Sequence, residues 1–406
     1  MRTTLDVKAQ LDRARGDRLR VLIVGAGVAG VTAARLLRAD GLHPLLVERA
    51  GPDGDEGYML GLMPFVDPVL RHLGVLDHYL ESSVAMHEYR LRGASGAILN
   101  EYSLDEAIGR FGHYRGIERA NLLRVLGVQE TPVAHRTTVT GLVQSGDRVH
   151  VTLSEAGQRV DIEVHAVIAA DGLHSATRSL VLDPGRVHTY DTGWGGWVAW
   201  TDADTGDASS RYEETWGAGS FVGLYPVLDR TGVFVGGPHR LTDQGPAAFA
   251  ERVRKSLRTV DERCAGALRA VADTPGAYYW KMSDVRASAW SHGRVVLLGD
   301  AAAGFLPTAG VGAAMAMESA AALARELAAA DADFVPSAFR AYERGQRPRV
   351  ESAQDNSRQL ARLMFRSGHL ITRARDVVAR RVSVDSALGP IRELLEQGEP
   401  AARPTA

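Results

Sequence analysis

Cysteine is nearly absent from this chain of 406 residues, since Cys264 is the only one. A single cysteine excludes an internal disulfide and a cysteine-rich metal site, and no metal centre is predicted. This cysteine usage is typical of a reducing compartment, and Cys264 itself is expected to act as a small buried apolar residue. The fold is therefore expected to depend on an apolar core, which a chain of this length can build.

Long apolar runs and an excess of one charge are also lacking. No stretch approaches the roughly 18 apolar residues of a membrane helix, and residues 1–18 contain no apolar segment of a secretory signal. The formal net charge is −2, so nucleic acid is not an expected partner. Residues 340–381 carry eleven arginines and four acids. Contact with a membrane surface or an acidic partner is one interpretation; arginines that face solvent and pair with acids are the favoured one. A cytoplasmic monomer or homodimer is expected.

The first of three glycine-rich motifs is LRVLIVGAGVAG, residues 19–30. Its apolar start predicts a strand, Gly25 to Gly30 a turn, and the following residues a helix; a second strand ends at Glu48. A strand before the glycines, a helix after them and an acid about 20 residues on are what a dinucleotide-binding βαβ unit requires. Phosphates would lie at the helix N-terminus, and Glu48 would bind ribose hydroxyls, which favours NAD or FAD over NADP.

The second motif, DGLHSATR, spans residues 171–178 and follows a strand predicted over 160–168. Asp-Gly predicts a tight turn, and Ser175 is expected to cap the next helical turn. Arg178 is expected to pair with an acid or a phosphate. Together with its neighbours, this loop is predicted to point into the same crevice as the first motif.

The third motif, RVVLLGDAAAGFLPTAGVGAAMAMESA, spans residues 294–320. It predicts a buried strand, a turn at Asp300 and a helix over 313–330. Asp300 would accept hydrogen bonds from sugar-type hydroxyls at the carboxyl end of its strand. Gly310 and Gly312 lack a Cβ, so a flat ring can approach their backbone closely.

The region from 188 to about 279 has a different character, with aromatic residues in short β-prone runs separated by Gly, Asp and Pro. This pattern predicts an antiparallel sheet, followed at 246–271 by a helix. The aromatic side chains are compatible with core packing and with a wall for a flat, apolar substrate.

The three motifs in this order resemble the class A flavin monooxygenases with the p-hydroxybenzoate hydroxylase fold, over residues 19 to 350. The resemblance implies a tightly bound FAD, with the first motif at the ADP half, Arg119 near the phosphate and ribitol, and the third motif at the ribityl chain and ring. It assigns to the cofactor Gly25, Gly27, Ala29, Gly30, Glu48, Arg49, Arg119, Asp171, Gly172, Asp300, Pro307, Gly310, Val311 and Gly312.

The fold that this resemblance implies is α/β (α+β overall), with a Rossmann-like FAD-binding domain, an inserted antiparallel β-sheet substrate domain and a C-terminal helical segment. The predicted domains are 19–75, 105–187 and 288–350 for FAD, 76–104 and 188–287 for substrate, and 351–406 for the tail.

The implied reaction uses NADH or NADPH as a transient reductant and O₂, and a flavin C4a-hydroperoxide oxygenates a small, aromatic or polycyclic substrate. No catalytic side chain is assigned; His113, Tyr114, His188 and Tyr225 are candidate bases by chain position only. The chain departs from the family at Ala303, Ala314 and Ser319, which is expected to make the flavin surroundings less polar.

Two other functions stay open on the sequence alone. One is an FAD-dependent reductase or dehydrogenase on the same fold that acts on an alkene or prenyl chain. The other is a non-catalytic flavin-binding protein. A flavin halogenase is disfavoured, because residues 194–200 lack the WxWxIP pattern and the lysines are few: Lys8, Lys255 and Lys281.

Overall fold

The computed structural model describes residues 4–52, 57–127, 131–274, 276–381 and 384–397. Its α-helices are, in chain order, α1 (Val7–Arg13), α2 (Val28–Ala39), α3 (Asp67–His72), α4 (Leu76–Glu81), α5 (Leu104–Ile108), α6 (Arg119–Val125), α7 (Ala176–Ser179), α8 (His239–Thr242), α9 (Pro246–Ser256), α10 (Glu262–Asp273), α11 (Gly312–Ala328), α12 (Val335–Met364), α13 (His369–Ala379) and α14 (Val384–Glu396). Its strands are β1 (Val21–Val24), β2 (Leu45–Glu48), β3 (Met59–Leu62), β4 (Val84–Met86), β5 (Glu88–Gly93), β6 (Ile98–Ser103), β7 (Tyr114–Glu118), β8 (Ala134–His135), β9 (Thr137–Ser145), β10 (Arg148–Glu155), β11 (Gln158–Val164), β12 (Ala166–Ala169), β13 (Val187–Asp202), β14 (Arg211–Trp216), β15 (Phe221–Val227), β16 (Arg230–Pro238), β17 (Tyr278–Ala287), β18 (Ser291–His292) and β19 (Val295–Leu297).

A six-stranded sheet in the order β18-β19-β12-β1-β2-β8 forms the first layer. Its neighbours are parallel except for the β18–β19 pair. The strands β1, β12 and β19 are buried along their whole length, because helices and a second sheet cover both faces of a parallel sheet. Helices α2 and α11 pack against each other beside this sheet. The predicted α/β class is confirmed.

A seven-stranded sheet in the order β17-β13-β16-β15-β14-β5-β6 forms the second layer. All its pairs are antiparallel except β14 with β5, which run parallel. Side chains alternate along each strand, so Val233 and Val235 of β16 pack with α9 and α10 in one cluster, while Phe234 points to the opposite face. Cys264 lies in that helix-covered cluster and is buried, as expected.

Two local predictions are wrong in their boundaries. The strand predicted over 160–168 is two strands, because β11 pairs with β10 in a three-stranded sheet and β12 with β1 in the six-stranded one. The helix predicted over 246–271 is two helices, and Asp261 caps the second by accepting from the Cys264 N–H. Helix α1 is anchored to the sheet, because the Gln10 amide bonds both the N–H and the carbonyl of Leu46 in β2.

The C-terminal part begins with α12, a 30-residue helix. The predicted domain boundary between residues 350 and 351 falls inside this helix, and the domain division stays a prediction; residues 382–383 and 398–406 of the predicted tail lie outside the described residues. Arg349 bonds Glu318 and Arg358 bonds Asp284, each through two nitrogens. Among the described arginines of 340–381, the interpretation that they pair with acids is confirmed for Arg347, Arg349, Arg358 and Arg375. No helix among the described residues combines the length and apolar character needed to cross a membrane.

Candidate active site

A cavity of about 320 Å³ lies between the carboxyl ends of the parallel strands and the inner face of the seven-stranded sheet. All three glycine-rich motifs reach it. The predicted cofactor residues that line it are Gly27, Ala29, Arg119, Gly172, Asp300, Pro307, Gly310 and Gly312. The others, Gly25, Gly30, Glu48, Arg49, Asp171 and Val311, support these loops or lie beyond the cavity, and the cofactor role of the whole set stays a proposal.

The first motif folds as a turn in which each glycine meets a different demand. A Cβ on Gly30 would lie 1.9 Å from the Gly25 carbonyl oxygen, so only glycine fits there. Gly25, at φ +102°, packs against the Ala170 carbonyl, which presses the first motif onto the second. At Gly27 the nearest atom to a built Cβ is Nη2 of Arg119, 3.9 Å away. The turn therefore leaves open space in front of the α2 N-terminus, where unpaired N–H groups favour an anion.

Glu48 holds this turn from the end of β2. Its carboxylate accepts hydrogen bonds from the backbone N–H groups of Ala26 and Ala50, each at 2.8 Å. It is half-buried, and the next residue, Arg49, is exposed. Glu48 thus orders the glycine turn, and its proposed contact with a ribose would use the remaining lone pairs.

The second motif is tied to the third by an arginine. The Asp171 carboxylate accepts from the Ser175 hydroxyl and the Thr177 N–H, and Ser175 in turn caps α7, as predicted. Arg178 is buried and donates to the carbonyls of Leu173 and Ala301, each at 2.9 Å. These hydrogen bonds of Arg178 fasten two loops together, and among the described residues no acid forms an ion pair with it; pairing with a phosphate stays a prediction.

Asp300 faces the cavity from the turn after β19, and its side chain is open to the cavity, although the surrounding protein atoms partly desolvate it. Burial raises the pKa of Asp300 to about 6, and the nearby positive charge of Arg119 opposes that rise. The Arg119 guanidinium lies 5.9 Å from the ring centre of Tyr58, another residue of the cavity wall. An acceptor and a cation therefore flank the part of the cavity nearest the glycine turn.

The third motif ends in a tight loop against the start of α11. Gly310 has φ +61°, in the left-handed region, and a Cβ there would lie 2.7 Å from the Tyr114 hydroxyl. Val311 is buried beneath the loop, and α11 begins at Gly312. The free N–H groups of the first turn of α11 therefore border the cavity.

The far wall of the cavity is aromatic. Tyr212, Phe221, Tyr225, Phe234 and Trp280 line it, whereas Trp194, Trp197, Trp200 and Trp216 do not. The lining residues are in the place of a substrate wall, which stays a proposal, and core packing describes the buried Trp194 and Trp216. The sequence analysis missed Glu214, which lies between Tyr212 and Trp216 on one face of β14. The alternation in Arg211–Trp216 was the available signal, since every second residue shares a face.

The candidate bases separate into two groups. Tyr114 and Tyr225 line the cavity, whereas His113 and His188 lie outside it and are exposed. His113 and His87 each bond one oxygen of Asp105 through Nδ1, at 3.0 and 2.7 Å, in a surface cluster of metal-ligand type.

The three departures from the family pattern lie away from this wall. Ala303 is buried in the core beside α11, Ala314 and Ser319 are buried within that helix, and none lines the cavity. The expectation that they make the flavin surroundings less polar stays a prediction.

Glycine loops at the ends of parallel strands and a helix N-terminus that meet at one cavity define a dinucleotide-binding fold of the oxidoreductase type. A family model described as an FAD binding domain matches residues 18–357. The chain is 31% identical over 360 residues to 3-amino-4-hydroxybenzoate 2-monooxygenase PtmB3 of Streptomyces platensis, covering 84% of this chain and 88% of that one. It is 27% identical to 2-heptyl-3-hydroxy-4(1H)-quinolone synthase of Pseudomonas aeruginosa, covering 76% and 80%.

Among solved structures, HpxO of Klebsiella pneumoniae complexed with FAD and uric acid superposes with a TM-score of 0.80 at 22% identity, over 96% of this chain and 99% of that one, which shows the shared fold. The protein belongs to the class A FAD-dependent monooxygenases.

Proposed function

We propose that this protein uses NADH or NADPH and O₂ to hydroxylate or otherwise oxygenate a small aromatic or polycyclic compound bound against the seven-stranded sheet. The observation that carries the proposal is the single cavity, which joins the glycine loops to an aromatic wall without a partition. The names of two relatives contain a hydroxybenzoate and a quinolone, both aromatic, which supports the same class of substrate for this chain.

The residues of the cavity fit FAD. The open space at Gly27 and the α2 N-terminus would take the diphosphate, with Arg119 as a counter-charge. Asp300 would accept hydrogen bonds from the ribityl hydroxyls, and the backbone at Gly310 and Gly312 would border the ring. The chemistry that FAD supplies when bound is acceptance of hydride from NAD(P)H and activation of O₂.

The chain itself would contribute position, electrostatics and exclusion of water. The N-terminus of α11 would stabilise negative charge on the reduced ring. Phe221, Phe234 and Met282 make the substrate side apolar, which keeps water from the reacting atoms. The proposed chemistry requires no nucleophilic side chain.

The experiment is reconstitution with FAD, anaerobic reduction with NADH and NADPH in turn, and a screen of aromatic compounds for stimulated NAD(P)H oxidation. With ¹⁸O₂, a true substrate should gain one labelled oxygen atom, and O₂ consumption should match NAD(P)H consumption. Reduction of the flavin without label in any product would favour the reductase alternative. Failure of the protein to bind FAD on reconstitution would contradict the whole proposal.

A further inference from the structure

The substrate side of the cavity contains a buried carboxylate. Glu214 is 3% exposed and lines the cavity from β14. Its oxygens accept hydrogen bonds from the Tyr89 hydroxyl and the Trp216 indole N–H, both at 2.8 Å, and from the Tyr212 hydroxyl. These donors are neutral, so they solvate the carboxylate without cancelling its charge.

The neighbouring acid shows the contrast. Glu213, on the opposite face of β14, is ion-paired with Arg92 at 2.8 Å and Arg263 at 3.0 Å. Within the described ranges no salt bridge reaches Glu214. Arg92 of β5 and Arg263 of α10 therefore pair with the acid on the helix-covered face, and the carboxyl on the cavity face is left to its neutral donors.

The rest of the wall reinforces this sign. Among the described residues, the charged side chains that line the cavity are Arg119, Asp300 and Glu214, and the first two face each other at the cofactor end. The rings of Tyr212 and Tyr225, 5.0 Å apart, and of Tyr114, 6.0 Å from Tyr212, surround the substrate end. Aromatic faces attract cations and offer nothing to an anion.

We propose that Glu214 selects substrates by charge, so that the cavity takes an uncharged or cationic aromatic compound whose O–H or N–H group points to Glu214, Tyr212 and Tyr225, and rejects arenes that carry a carboxylate. This inference rests on the proposed function. The proposed substrate of this chain thus differs in charge from the hydroxybenzoate in the name of the relative PtmB3. A carboxylate placed here would meet a second buried negative charge with no cation to share.

The test is equilibrium binding to the FAD-loaded protein, measured by the change in flavin absorbance, at pH 8. Burial raises the pKa of Glu214, so the series is repeated at pH 9, where a larger fraction of this carboxyl is ionised. The probes are 4-hydroxybenzyl alcohol, 4-hydroxybenzylamine and 4-hydroxybenzoate, with the same three substituents on a naphthol as larger members. They keep the ring and the phenol and vary only the charge of the second group.

We expect the carboxylate to bind at least roughly tenfold more weakly than the alcohol of the same ring. In Glu214→Gln this ratio should fall below about threefold, because the charge is removed and the shape kept. Tyr102→Phe is the matched control: Tyr102 stacks on Tyr89 at 4.9 Å outside the cavity, and its loss should leave the ratio unchanged. A purely structural role of Glu214 would weaken all ligands alike and keep the ratio.

Equal binding of carboxylate and alcohol by the native protein would overturn the inference, and so would a failure of every neutral and cationic probe to bind. The native series decides the question even if Glu214→Gln does not fold. Because binding needs no turnover, a preserved ratio without incorporation of ¹⁸O would sink the proposed function and leave the charge selection standing.

Discussion

Replacement of Gly27 by alanine adds one methyl group at the point where we place the FAD diphosphate. Gly27 has φ −77° and ψ −173°, a conformation open to any residue, and the nearest protein atom to the new methyl is 3.9 Å away. The free energy of unfolding of the FAD-free protein should therefore change by no more than about 0.5 kcal/mol, because the lost freedom of the unfolded chain offsets the poorer N-cap that alanine makes for α2.

FAD binding should respond in the opposite direction. A methyl between the α2 N-terminus and Arg119 would push the diphosphate outward and break one or two charge-assisted hydrogen bonds, each worth roughly 1.5–3 kcal/mol. The Kd for FAD should rise by roughly 10- to 100-fold or more. Quenching of FAD fluorescence measures the affinity, and urea denaturation of the FAD-free protein measures the stability.

Two other glycines supply the controls. Gly16→Ala adds a methyl that meets no atom within 4 Å, far from the cavity, and should bind FAD like the native protein. Gly30→Ala places its methyl 1.9 Å from the Gly25 oxygen and should destabilise the FAD-free fold as well. Native FAD affinity in Gly27→Ala would refute the placement of the diphosphate. A loss of stability in FAD-free Gly27→Ala clearly larger than about 0.5 kcal/mol would contradict the inference that the new methyl group enters open space.

Three further predictions concern titration and buried charge. Burial raises the pKa of Asp300 to about 6, so its ionised form costs stability above that pH. Asp300→Asn should thus stabilise the FAD-free protein at pH 8 by roughly 1 kcal/mol, a value that allows for screening by water in the cavity. This gain should disappear as the pH falls towards 4, and the variant should bind FAD more weakly. Burial and nearby arginines lower the pKa of His165 to about 4, and its Nδ1 accepts from the Arg20 N–H. As the pH falls from 6.5 to 4.5, the free energy of unfolding of the native protein should fall by roughly 2 kcal/mol more than that of His165→Asn. The reason is that His165 becomes protonated in the unfolded chain over this range but stays neutral in the folded protein. Arg358→Ala should cost roughly 3–5 kcal/mol, because it leaves Asp284 buried and unpaired.

Urea denaturation across pH checks all three changes. Arg340→Ala, at an exposed position of the same helix as Arg358, should stay within about 0.5 kcal/mol of the native protein. A pH-independent effect of Asp300→Asn, or parallel pH curves for the native protein and His165→Asn, would contradict the assigned titrations. A cost for Arg358→Ala no larger than that of the control would show that the Asp284 pair is dispensable.

The cofactor half of the cavity could be predicted because its signals are local. Around Gly25, Gly27 and Gly30 the strand, the turn and the start of the helix follow one another within a dozen residues. The spacing of the glycines therefore indicates the backbone conformation of the turn. The same holds for the loops at Asp171 and Asp300. Parallel strands then bring the three loops to one edge without further information from the sequence.

The substrate half depends on tertiary contacts that no local pattern specifies. The alternation around Glu214 fixes which residues share a face of β14, yet the partner sheet and helices decide which face meets the cavity. Likewise both sides of His165 favour strand, so nothing local shows that the chain leaves one sheet for another there. Arg178 donates to carbonyls of two separate loops, one of them more than 100 residues away along the chain. The residues around Arg178 in the sequence do not indicate that distant partner.

The parallel pairing of β5 with β14 has a consequence for how the protein is made. The hairpin of β5 and β6 leaves the ribosome early, but its partner begins only at Arg211. At 5–20 residues per second, the roughly 110 residues between the end of β6 and Arg211 take roughly 5 to 22 seconds to synthesise. During that delay the β5–β6 hairpin lacks its neighbouring strand β14, and Tyr89 lacks its hydrogen-bond acceptor Glu214. A nascent chain stalled in this interval should therefore recruit chaperones and resist proteases poorly.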